Sequence, residues 1–453
     1  MTKAFEPIKI GRHQLQHRIV LAPLTRFRAT LEGAVPTDLL VDYYSQRASP
    51  GGLLITEATF IDRLAGGYRQ APGIYNKEQI EGWRKVTDAV HKKGAVIFLQ
   101  LWHLGRTGSS NLNPNKEQIV SASAIPIPGT KPNGKPYETP RPLETSEVKN
   151  LVKTYRQAAI NAIEAGFDGI EIHNANGYLL DQFVNSSTNK RTDEYGGSTE
   201  NRGRLTLEIV DAIVDAIGAE RTAIRFSPNG SVQGMKDQDP VKTWGYLTIQ
   251  LQKNHPDLAY LHFIEARSDF SVDGKVNTVD TLEPYRRLWK GPFITAGGFS
   301  TAIKHSVDLA EKTGNLIAFG RAFIANPDLP ERIRSEYDLN KYNRKTFYTH
   351  DAVGYTDYPF HGEKSINGTD RDNNKVLGHV NMPLSITTNV SFKYGFQGGT
   401  VDSIADDNGT ANAVEANKVI DGHVEQEATD DVASPPISKY SEIRIRSRLD
   451  FLR

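Results

Sequence analysis

An α/β fold closed into a (β/α)8 TIM barrel is what this sequence predicts, and three observations predict it. Short apolar runs alternate with helical patterns from Ile19 to about Arg334, and the runs number eight, the count that closes a parallel barrel. Most runs are continuously apolar rather than alternating, as strands covered on both faces are. Polar and small residues follow many of the runs, whereas a doubly wound open sheet would gather them near one switch point.

The eight runs are Ile19–Ala22, Gly52–Thr56, Ala95–Leu101, Asp168–His173, Thr222–Phe226, Ala259–Ile264, Pro292–Ala296 and Asn315–Phe319. Helices fill the intervals. In Gln79–Lys93, Ile80, Trp83, Val86 and Val90 fall at helical spacing. Thr145 or Ser146 is suited to cap a helix that runs to Ala165 and stops at Gly166. Glu200–Ile217 carries Leu205, Ile209, Ile213 and Ile217 on one stripe, ended by Gly218. Two polar insertions, Arg106–Glu144 and Ser186–Thr199, follow the third and fourth runs. Both belong to the face where barrel enzymes build their sites.

Composition excludes several functions. The 453 residues hold 54 Lys and Arg against 54 Asp and Glu, so neither nucleic acid nor an anionic membrane is an expected partner. Cysteine is absent, which excludes disulfides, thiol nucleophiles and Cys-bound metal; no metal site is expected. No signal peptide or membrane-spanning run is visible, and a cytoplasmic protein, monomer or homodimer, is expected. The domain is expected to span 1–365. Residues 366–453 lack periodicity, and Asp402–Asp431 holds nine carboxylates against Lys418 alone. That segment reads as a low-complexity extension, disordered or loosely packed.

The run ends carry the chemistry. Ile172-His173-Asn174-Ala175-Asn176-Gly177-Tyr178 sets two hydrogen-bond donors and a phenol where the fourth strand stops, a set able to grip a carbonyl oxygen and protonate a neighbouring carbon. The first run is followed by Pro23, Leu24 and Thr25, the second by Ala58, and the third ends in Gln100 and Trp102. Arg225 in the fifth run supplies a permanent cation. Gly297-Gly298 and Gly320-Arg321 follow the last two runs, where barrels often hold a phosphate through backbone N–H groups. Singly, each group has a plainer explanation as a turn, a surface ion pair or core. Together they fit a planar, phosphate-bearing ring with a carbonyl clamp above it.

These segments, with Ala65-Gly66-Gly67-Tyr68, Arg191-Thr192-Asp193-Glu194-Tyr195-Gly196-Gly197-Ser198 and Asn326-Pro327-Asp328-Leu329, resemble the old yellow enzyme family of flavin-dependent ene-reductases over roughly residues 4–360. The resemblance implies non-covalent FMN held by Pro23, Leu24, Thr25, Ala58, Gln100, Arg225, Gly297, Gly298, Gly320 and Arg321. It implies NADPH or NADH as reductant, and an enone or enal substrate whose carbonyl sits between His173 and Asn176. Hydride would reach the β-carbon, and Tyr178 would protonate the α-carbon from the opposite face. Tyr68, Trp102 and Tyr348 would wall the substrate pocket. The Phe347-Tyr348 pair lines the mouth on this resemblance, or else seals the bottom or flank of the barrel.

Overall fold

The computed structural model describes residues 2–131, 133–266 and 280–363. The extension expected at 366–453 lies outside the described residues. Eight parallel strands form the barrel: β1 (Ile19–Leu21), β2 (Leu53–Ile55), β3 (Val96–Trp102), β4 (Gly169–Asn174), β5 (Thr222–Phe226), β6 (Tyr260–Ile264), β7 (Phe293–Ala296) and β8 (Leu316–Phe319). Each pairs with its sequence neighbour, and β8 closes on β1 through Ile317↔Ile19 and Phe319↔Leu21. The expected eight strands are these, with ends shifted by a residue or so.

The larger core lies between the strands and the outer helices. Trp83 of helix Lys77–His91 is wholly buried, donates from Nε1 to the Gly73 carbonyl at 3.0 Å and meets Phe167 edge-on. A second apolar cluster fills the barrel's lower interior, where Val20, Leu53, Val96, Phe98, Ile294 and Leu316 meet Ile10 and Leu15. The latter two belong to an antiparallel hairpin, Ile8–Ile10 with His13–Leu15, which plugs the bottom. With that end closed and packed, the opening is left at the C-terminal ends of the strands.

One helix start differs from expectation. Helix Thr145–Glu164 is preceded by Glu144, whose N–H donates to the Glu147 carboxylate at 2.7 Å. The Thr145 hydroxyl, expected as a cap, instead bonds Asp193 at 2.7 Å. This ties the helix to the insertion after β4, a tertiary partner that wins over local capping.

Candidate active site

A belt of polar side chains crosses the barrel above its apolar filling, and strand register builds it. Gln100 of β3 lies opposite Glu171 of β4, and Arg225 of β5 lies opposite both His173 and His262 of β6. Glu171 accepts from Gln100 Nε2 at 2.7 Å and bonds His262 Nδ1 at 2.8 Å, all three buried. Burial alone would raise the Glu171 pKa. The His262 and Arg225 charges and these hydrogen bonds outweigh it and hold the carboxyl below its usual range. Burial in turn lowers Arg225, but Glu171 beside it favours the cation.

Above the belt opens a cavity of about 310 Å³. One end is walled by Pro23, Leu24 and Thr25, by Gly297, Gly298 and Ser300, and by Gly320 and Arg321. Gly297 and Gly298 have φ of +127° and +81°, backbone that favours glycine. A Cβ at Gly297 would stand 2.9 Å from Glu265 Cβ. Arg321 donates to the Tyr342 hydroxyl at 3.1 Å, which orients its planar, five-donor guanidinium at this end. Glycine backbone beside a guanidinium suits a phosphate. In the floor, Arg225 Nε is buried without a partner among the described residues. That donor fits the polar edge of a flavin ring.

The other end holds the expected clamp. After β4 the chain turns through two left-handed residues, Asn176 (φ +56°) and Gly177 (φ +76°); asparagine and glycine tolerate that conformation best. The turn is pinned by Asn176 N–H to Ser227 Oγ, by Gly177 N–H to Asp181 and by Gln182 Nε2 to the Gly177 carbonyl, at 2.7, 2.8 and 2.7 Å. Asn176 and Tyr178 thereby both line the cavity. His173 packs beside them, its ring edge-on to Tyr178 at 4.9 Å and parallel to Trp102 at 6.4 Å. Burial, then the Arg225 charge, pushes His173 well below its ordinary pKa, so it is neutral. Its Nδ1 is buried with no partner among the described residues. Burial, then Tyr348, raises the Tyr178 pKa, so the phenol keeps its proton at neutral pH.

Aromatic rings collar this end. Trp102 meets Tyr178 at 4.8 Å and Tyr68 at 5.6 Å, and Phe27 meets Tyr68 at 6.0 Å and Tyr348 at 5.5 Å. Phe347 and Tyr348 line the cavity mouth. Arg26 and Arg28, both buried, hold them there by donating to the Phe347 carbonyl at 3.0 and 2.9 Å.

Most expected cofactor residues meet in this cavity, but three expected site residues do not line it. Gln100 is committed to Glu171 one layer below. Ala58 packs in the helix-facing core. His173 is buried against Tyr178 and Trp102, which do line it. Sequence reading missed Val232, Gln233 and Arg344, which also line the cavity. Val232 and Gln233 follow the Ser-Pro-Asn-Gly turn after β5, whose place at a strand end was the available signal. Arg344 lies beyond the last strand in aperiodic chain and gave none.

Comparison with known proteins agrees with this geometry. Residues 3–340 match the sequence model of the NADH:flavin oxidoreductase / NADH oxidase family. The chain belongs to this family, the old yellow enzymes. It is 48% identical over 355 residues to 12-oxophytodienoate reductase 1 of Oryza sativa subsp. japonica, covering 78% of this chain and 92% of that one. The flavin oxidoreductase hxnT of Emericella nidulans is 47% identical over 380 residues, covering 79% and 97%. Among solved structures, morphinone reductase superposes with a TM-score of 0.74 at 41% identity, covering 81% of this chain and 99% of that one. Morphinone reductase in complex with tetrahydroNAD gives 0.72 at 42%. No helix among the described residues is long and apolar enough to cross a membrane.

Proposed function

We propose that this old yellow enzyme is an FMN-dependent ene-reductase, which takes hydride from NAD(P)H and reduces the C=C bond of an α,β-unsaturated aldehyde or ketone. One observation carries the reading: Asn176 and Tyr178 face a single cavity whose far end is glycine backbone and Arg321. Bound there, FMN supplies the hydride that reaches the β-carbon. Pro23, Leu24, Thr25 and Arg225 hold the ring, and Gly297, Gly298, Gly320 and Arg321 hold the phosphate. Gln100 and Ala58 support that seat from behind.

His173 and Asn176 donate to the carbonyl oxygen of the substrate. Neutral imidazole suits this task, since it donates an N–H without being, as imidazolium would be, a second acid beside Tyr178. The two donors stabilise the enolate charge that develops as the β-carbon is reduced. Tyr178 gives its proton to the α-carbon and recovers one from water. Tyr68, Trp102 and Tyr348 exclude water and set the shape of the pocket. The relatives named for 12-oxophytodienoate and morphinone, names that themselves denote ketones, support a second reading in which the chain serves one dedicated biosynthetic step, in oxylipin or alkaloid metabolism.

The catalytic unit is residues 1–365, consistent with relatives that match 78–79% of the chain. Balanced charge fits action on small molecules without nucleic acid or an anionic membrane; the reading takes the protein as a cytoplasmic monomer or homodimer. The test is an anaerobic titration. The FMN-loaded protein is expected to bleach with NADPH, or with NADH, and to recover its yellow colour with cyclohexenone. A protein that takes up no FMN, or whose reduced form is indifferent to the enone, contradicts the proposal.

A further inference from the structure

We propose that Gln233 is a positioning residue for the proton-transfer step: its side-chain N–H group bonds the Tyr178 oxygen and leaves the phenol's own hydrogen to face the substrate. The inference rests on the role assigned to Tyr178 above. Gln233 lies in the loop after β5 and lines the same cavity. A Cβ placed on Gly177 would stand 3.1 Å from Gln233 Cβ and 3.2 Å from its Oε1. The side chain therefore lies directly over the residue that precedes Tyr178. Its Oε1 is buried with no partner among the described residues, so no bond at the carbonyl end explains this placement. The two side chains line the same cavity, and the nearby amide draws the phenol's pKa back down against the effect of burial.

The backbone is built to hold the amide there. Gln233 has φ of +60°, strained for a residue that is neither glycine nor asparagine. The buried Arg106 donates to the Gln233 carbonyl at 2.7 Å, and to those of Ile125 and Pro126 at 3.1 Å each. Gly234, at φ +73°, fits against Pro128 only because it lacks a Cβ, which would lie 2.4 Å from that ring. Loops after β3 and β5 thus converge on one amide. The chemistry gives it a use. Hydride adds to the β-carbon, the Tyr178 O–H bond breaks, a C–H bond forms at the α-carbon, and the phenolate is reprotonated by water. A phenol carries one hydrogen. An N–H donor at its oxygen keeps that hydrogen available and stabilises the phenolate as it forms.

The test uses the FMN-loaded full chain, reduced anaerobically with NADPH and mixed with cyclohexenone. Gln233→Leu is expected to reduce flavin normally and to slow alkene reduction roughly ten-fold or more, the worth of one hydrogen bond to a charged group. The solvent isotope effect on that step should rise. Gln233→Glu should be slower still, because a carboxylate accepts the phenol's hydrogen and turns it from the substrate. A packing role predicts the reverse order, since glutamate is the closer match in shape. In a Tyr178→Phe background, Gln233→Leu should have no further effect. A Gln233→Glu variant as fast as wild type, or a Gln233→Leu effect undiminished without the phenol, overturns the inference alone. A wild-type protein that NADPH reduces but cyclohexenone cannot reoxidise overturns the ene-reductase reading and this inference with it.

Discussion

Replacing Glu171 by glutamine tests the belt beneath the cavity. Glu171 accepts from Gln100 and bonds His262 while it faces Arg225. The carboxamide has nearly the same shape, so no void opens. It loses the charge opposite Arg225, and it turns an N–H group toward either Gln100 or His262. Removing one member of a buried charge pair costs about 3–5 kcal/mol. The new amide still offers Gln100 and His262 a hydrogen-bonding group, which places the loss near the lower end, about 3 kcal/mol. Urea unfolding of the flavin-free protein should show this as a lower midpoint with an unchanged slope. The same change loosens Arg225, so FMN affinity, read from flavin fluorescence, should fall as well. The pH dependence has a definite sign. A carboxyl held below its usual range stabilises the fold above that range, and this stability disappears as pH falls through the lowered pKa. The wild type should therefore lose more stability than Glu171→Gln on acidification. A variant with wild-type midpoint and wild-type flavin affinity would refute the belt's role.

Further expectations follow from other parts of the structure. Burial raises the pKa of Glu57 to about 7, against bonds and charges from Arg26 and Arg28, so its ionisation weakens the fold as pH rises from 4.5 through 7. Glu57→Gln should remove that dependence, worth about 3 kcal/mol, in unfolding measured across this window. Arg321→Met should weaken FMN binding roughly ten- to a hundred-fold and leave riboflavin binding unchanged, because riboflavin lacks the phosphate; equal losses would exclude a phosphate contact. Deleting residues 366–453 should leave turnover of NADPH and cyclohexenone largely intact.

The barrel was legible because its signals are local. Eight apolar runs and stripes such as Leu205, Ile209 and Ile213 are periodic, and glycines 166 and 218 mark helix ends. The residues that gather at the mouth were also legible, since a strand end in a parallel barrel has one place to go. Depth inside the barrel was not. Gln100 and Arg225 both point inward, yet Gln100 bonds Glu171 below the floor while Arg225 forms part of the cavity lining; only the stagger between neighbouring strands decides this. How His173 packs was not legible either: the left-handed turn at Asn176 and Gly177 brings Tyr178 edge-on against its ring. Gln233 and Arg344 lie in aperiodic loops, where placement depends on distant partners such as Arg106.

The most direct test of the account compares the two half-reactions in Tyr178→Phe by anaerobic rapid mixing. The ring keeps its contacts with Trp102 and His173, so flavin reduction by NADPH is expected at the wild-type rate. Reduction of cyclohexenone should slow by about a hundred-fold to ten-thousand-fold, the usual contribution of a positioned acid. An alkene step that proceeds as fast as in wild type would contradict the assignment of Tyr178 as the proton donor.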